Sequence, residues 1–209
     1  MGRPRVHDEA TAQALLAAAE RIVEDDGIDG LSLRRVAHEV GTTTRAVYSV
    51  IGSKEALLAA LGRRAFEILE KELDALPTTS DPADDLIQAG LMFRRFALEH
   101  PSLLQIGFEH APIAPEVAAD FRPVQSRALR GLIARVERLN QASGLAGRPV
   151  MDVVFAFDAL TEGLATIELR HVLPDSREER IWRHALDALV HGFTQPDGDD
   201  ATNDRAIPV

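Results

Sequence analysis

Residues 31–61, LSLRRVAHEVGTTTRAVYSVIGSKEALLAAL, hold three helical patterns punctuated by Gly41 and Gly52. The first places Leu33, Val36, Ala37 and Val40 on one helical face, behind Ser32 as an N-cap and ahead of Gly41 as a stop. The second, from about Thr43 to Val50, has only Ala46, Val47, Val50 and Ile51 to bury. Its remaining positions are Thr42, Thr43, Thr44, Arg45, Tyr48 and Ser49. The third opens after Ser53 and is expected to run to about Leu76, with Leu57, Leu58, Leu61, Ala65, Ile68 and Leu69 inward.

Two short helices joined at a glycine form a helix-turn-helix pattern, here over about 32–51. Small hydroxyls let a helix lie close to a nucleic acid. Backbone amides at its start, with Thr43 or Thr44, suit phosphate oxygens. Arg45 has the forked geometry for a guanine edge, and Tyr48 can reach a phosphate or a thymine methyl. Lys54 offers a further cation to phosphate at the next helix start. The same threonines would also serve as helix caps, so the residues leave both readings open.

Charge distribution is compatible with the first, although a +3 stretch also suits an ordinary solvated surface. The whole chain carries −10, yet residues 31–54 hold Arg34, Arg35, Arg45 and Lys54 against Glu39 alone, a local +3. Arg3 and Arg5 form a basic arm in front. A phosphate lattice responds to charge within about 10 Å, so an acidic body does not exclude DNA.

The order and spacing of these features resemble the DNA-binding region of the TetR family of transcriptional regulators. The resemblance spans roughly residues 8–66. It rests on Ser32, the Ala37-x-x-x-Gly41 ending, Tyr48 with an apolar residue three later, and the Ser53-Lys54-Glu55-x-Leu57 start. Ile51 stands where the family usually has Phe, and Thr42–Thr44 replace its usual Val-Ser-Lys types. The resemblance implies DNA contacts at Ser32, Thr43, Thr44, Arg45, Tyr48, Ser49 and Lys54, with Arg3 and Arg5 as arm contacts. It also implies a double-stranded operator, a homodimer and a small-molecule effector of unknown identity. The expected activity is that of a repressor released by its ligand.

The rest of the chain reads as helix. DEATAQALLAAAERIVEDDG, residues 8–27, carries Leu15, Ala19, Ile22 and Val23 inward. PTTSDP at 77–82 is the clearest break. Helices are expected beyond it at about 82–99, 101–110, 114–143 (bent near Pro123), 149–172 and 175–193. The fold class is therefore all-α: an N-terminal bundle with the helix-turn-helix at 1–66, a larger C-terminal bundle at 77–195, to which the TetR resemblance assigns ligand binding and dimerisation, and a disordered polar tail at 196–209. The last two helices are apolar on more than one face, through Val150, Val153, Val154, Phe157, Leu160, Leu164 and Ile167, and through Ile181, Trp182, Leu186, Leu189, Val190 and Phe193. Such faces are buried in the monomer or against a second copy, and the TetR resemblance implies a homodimer through these two helices. Phe93, Phe96, His100, Phe108, His110, Phe121, Phe155 and Glu162 are candidates to line a ligand cavity, although the aromatics suit an ordinary core equally.

Other classes lack support. Cysteine is absent, which excludes disulfides and thiolate metal sites and fits a reducing compartment, the cytoplasm. No histidine pair has metal-ligand spacing, so no metal or cofactor is expected. Nucleophile, dinucleotide and P-loop motifs are missing, which argues against an enzyme. No run of 18 apolar residues crosses a membrane. The alternative to a regulator is an all-α small-molecule-binding or scaffold protein without sequence-specific DNA binding.

Overall fold

The computed structural model describes residues 5–109 and 115–195, and the side chains of 9–108 and 125–195. Arg3, His110 and the 196–209 tail lie outside the described residues, as do the side chains of Arg5 and Phe121. Every regular element among the described residues is helical: α1 (Arg5–Asp26), α2 (Leu33–Val40), α3 (Thr44–Val50), α4 (Lys54–Ala75), α5 (Pro82–Glu99), α6 (Pro101–Leu104), α7 (Pro115–Ser143), α8 (Val150–Leu169) and α9 (Glu178–Thr194). A short 3-10 turn, Ile28–Gly30, precedes α2, and a π turn, Gln105–Glu109, follows α6 where a plain helix to 110 was expected. Helix α8 stops three residues earlier than its apolar pattern suggested, because the chain turns through His171 at φ 54°. Pro123 lies inside the single helix α7.

The contacts group the chain into two compact units. One comprises residues 1–75 and 92–131, the other 76–91 and 132–209, so α5 and α7 each contribute to both. In the first unit α1 is the shared wall. Its Leu15, Ala18, Ala19, Ile22 and Val23 are buried, and it packs on α2, α3, α4 and α6. The pattern that marked Leu33, Val36 and Ala37 as inward holds; all three are buried. From α4, Leu57, Leu61, Ala65 and Leu69 are buried as expected, while Leu58 and Ile68 are half-buried.

The second unit is closed by α8 and α9, which bury Val153, Val154, Phe157 and Leu164 with Trp182, Leu186 and Val190. Gly90 permits a close approach of α9 to α5: a Cβ there would stand 2.5 Å from a Leu186 methyl. The buried Glu168 carboxylate accepts the Trp182 indole N–H at 2.7 Å, so this carboxylate has a donor.

Around PTTSDP, Asp85 organises the start of α5. It is 2% exposed and accepts the Thr79 backbone N–H, the Thr79 hydroxyl at 2.8 Å and the Arg138 guanidinium at 2.6 Å. Burial pushes its carboxyl up, but Arg138 and Thr79 outweigh that and hold it below the usual carboxylate range. The stabilisation is therefore present above the ordinary carboxylate range and is lost as pH falls through the depressed value. Asp85→Ala leaves the Arg138 and Thr79 donors without their acceptor. It is expected to cost about 2–3 kcal/mol of stability, readable as a lowered urea midpoint.

Candidate nucleic-acid interface

Three hydroxyls set the local geometry here. Ser32 accepts the Arg35 N–H at 3.2 Å and caps α2, Thr43 accepts the Ala46 N–H at 3.2 Å and caps α3, and Ser53 accepts the Ala56 N–H at 3.1 Å at the start of α4. Gly41 closes α2 at φ 71°, a conformation open to glycine at little cost. Its amide and that of Thr42 return to carbonyls of α2. The turn between α2 and α3 is thus three residues long and fixed at both ends.

Helix α3 has seven residues and only Val47 is buried; Ala46 and Val50 are half-buried. Arg45, Tyr48 and Ser49 are exposed, Tyr48 by 57%. Thr44 is half-buried and Thr43 exposed, so the Thr43 oxygen takes the cap while its hydroxyl hydrogen remains able to donate. Lys54 is half-buried and its ammonium donates to the Ile28 carbonyl at 3.3 Å, which ties α4 to the 3-10 turn.

The two arginines of α2 part company. Arg35 pairs with Asp26 at the end of α1. Arg34 is exposed and has no ion pair among the described residues. Their adjacency in sequence concealed the difference, which depends on the position of Asp26. Arg34 was counted in the local +3 charge but not among the expected DNA contacts.

The second group of expected residues divides. Phe93, Phe96, His100 and Phe108 come together: Phe93 meets Phe108 edge-on at 5.6 Å and Phe96 at 6.2 Å, and Phe96 meets His100 at 5.6 Å. Phe66 of α4 completes the cluster, 5.0 Å from Phe108; it was not anticipated, because a lone Phe on an amphipathic helix gives no sign of its distant partners. Phe155 and Glu162 stand on α8 in the other unit, Phe155 being 58% exposed.

His100 also faces α1. Its Nδ1 lies 3.5 Å from one Glu20 oxygen, while Arg64 of α4 holds the other at 2.8 Å. Glu20, Glu24 and His100 place ligand-type atoms within 4.8 Å of one another, a juxtaposition no short spacing could reveal. With Arg64 on Glu20, these contacts tie α1 to α4 and to the α5–α6 corner.

Sequence comparison matches residues 15–61 to the family described as bacterial regulatory proteins, tetR family, and residues 86–189 to the tetracyclin repressor-like C-terminal domain. The chain belongs to the TetR family. Members are ligand-responsive DNA-binding transcriptional regulators, and the curated relatives are regulators rather than enzymes. The transcriptional repressor DrrR1 of Streptomyces coeruleorubidus is 26% identical over 195 residues, 86% of this chain; the chain spans 63% of that relative's length. The class D tetracycline repressor protein of Escherichia coli is 25% identical over 202 residues, covering 87% of this chain and 88% of the relative. A solved structure from Rhodococcus sp. RHA1, of unknown function, superposes with TM-score 0.78 at 25% identity over 88% of this chain and 95% of its own. The regulator FadR from Bacillus subtilis, in complex with stearoyl-CoA, shares the fold with TM-score 0.70 at 14% identity, covering 86% and 98%. No helix among the described residues is long and apolar enough to cross a membrane.

The cap geometry makes a separable prediction for this TetR-type motif. Thr43→Ala removes the α3 cap and should cost about 1 kcal/mol in thermal or urea melts, whereas Thr43→Ser keeps it and should melt like the parent.

Proposed function

We propose that the chain is a repressor that binds an inverted-repeat operator as a homodimer and is released by a small molecule. The observation that carries the reading is the exposed face of α3: Arg45, Tyr48 and Ser49 are held outward on a helix whose only buried anchor is Val47. Residues 1–66 supply the DNA-binding region and 77–195 the ligand-binding and dimerisation region. Arg45 reads a base edge. Thr43, Thr44, Ser49 and Tyr48 approach the backbone and groove, and Lys54, Ser32 and Arg34 lie toward phosphate, with Arg3 and Arg5 as the arm.

A single recognition helix addresses few base pairs. Two, related by a two-fold axis, address half-sites about one DNA turn (~34–36 Å) apart or somewhat more. The α8–α9 face is assigned to that pairing, since Phe155 is exposed on it and a Cβ added at Gly163 or Gly192 would meet nothing within 4 Å. The effector region is assigned to Phe93, Phe96, Phe108 and His100. A ligand that prefers a different arrangement of this cluster lowers operator affinity by its differential affinity for the two states. Helix α4 suits the transmission, because it packs on α1, on α6 and on the π turn.

Selection from a random duplex pool at moderate salt should enrich an inverted repeat. Arg45→Ala should lose ~1–3 kcal/mol of affinity and relax one position per half-site, whereas Lys54→Ala should weaken all sequences alike. A parent that enriches no sequence, with binding indistinguishable from Arg45→Ala, would leave the ligand-binding or scaffold alternative.

A further inference from the structure

Helix α8 carries two carboxylates in an unusual setting. Asp158 and Glu162 follow Phe155 at i+3 and i+7, so the three share one face, with Ala159 between them. Phe155 is 58% exposed, while Asp158 and Glu162 are half-buried. Neither carboxylate has a hydrogen bond or ion pair to any of the described residues, in contrast to Glu168 further along the helix, which holds the Trp182 N–H.

The surrounding charges do not compensate them. Helix α9, the element packed on α8, bears Glu178, Glu179, Arg180, Arg183, His184, Asp187 and His191. Arg183 pairs with Glu179, and His191 with Asp187. Elsewhere in the same unit Arg138 pairs with Asp85, and Arg135 donates to the Leu76 carbonyl. Burial raises Asp158, and burial together with the Asp158 charge pushes Glu162 up to about 7. These are carboxylates that the isolated chain has half withdrawn from water beside an exposed aromatic face, with no cation to meet them.

We propose that association of two copies through this face is proton-linked: the dimer forms with Glu162 protonated and loosens as pH rises through and above neutrality. This rests on the assignment of the α8–α9 face to the homodimer. A second copy seated on Phe155 and Ala159 removes more water from Glu162. That raises its proton affinity further, since burial disfavours the charged form. Linkage then fixes the sign. A group that binds its proton more tightly in the dimer makes association strongest below its value in the free chain and progressively weaker above it. Each unit of difference is tenfold in the association constant per Glu162, and a symmetric dimer contains two.

Sedimentation equilibrium at pH 6.5 and 8.5, at constant ionic strength, tests this with the whole chain. The parent dimer should dissociate at least about tenfold more readily at pH 8.5. Glu162→Gln, which is permanently neutral, should hold its dimer constant within about twofold over the same range. A melt checks that it folds. Asp158→Asn is the second variant: it removes the like charge, so the loss of affinity should begin at lower pH. A parent constant that is flat with pH overturns the proposal. So does one that tightens at pH 8.5, which would mean that a partner cation meets Glu162, and so does an unchanged pH response in Glu162→Gln. A chain monomeric under all conditions refutes the dimer assignment itself, and a pH-independent dimer refutes only the linkage.

Discussion

Everything at the N-terminal end depends on the packing of α1. Helices of eight and seven residues have too few internal hydrogen bonds to persist alone, so α2 and α3 exist because α1 supplies a wall for them. That wall is apolar: Leu15, Ala18, Ala19, Ile22 and Val23 are buried. The wall takes in three residues of α2 but only Val47 of α3. What remains of α3 must face outward. Its chemistry is therefore free to be chosen for a partner instead of for the core. The same helix carries Glu20, whose two oxygens meet Arg64 and His100. Any rearrangement near His100 therefore acts on the element that sets the attitude of α3.

The electrostatics have the same local character. A net charge of −10 would repel a polyanion if it were spread evenly. Asp26 cancels Arg35, and Glu39 lies 3.8 Å from Arg21, so the positive surface narrows to Arg34, Arg45 and Lys54. The slope of the salt dependence grows with the number of phosphates neutralised, so two subunits on one operator would double that of one subunit.

The helices were legible in the sequence because their apolar periods are long and their stops are glycines or PTTSDP. Leu33, Val36, Ala37 and Val47 are buried where the spacing placed them. Elements set by distant contacts were not legible. The π turn at 105–109 packs against α4, where a Cβ on Gly107 would lie 3.3 Å from that of Ala65, and no neighbouring residue announces it. The end of α8 was overrun because His171 and Ser176 turn at positive φ without glycine. At the interface the outward positions of Arg45, Tyr48 and Ser49 followed from what α3 could not bury. The capping duty of Thr43 was one of two open readings, and only the backbone distance to Ala46 shows it. The aromatic cluster was half visible: Phe93 and Phe96 share a helix, but their links to Phe108 and Phe66 cross the chain.

Helix α8 shows why burial alone does not assign a role to a carboxylate. Glu168 is more buried than Glu162, yet it accepts an indole N–H that offsets part of its desolvation. Glu162 has no such donor and shares its face with Asp158, so its own charge is the variable that adjusts. The helix that closes the unit through Glu168 thus presents, on its outer side, groups whose protonation depends on the company they keep.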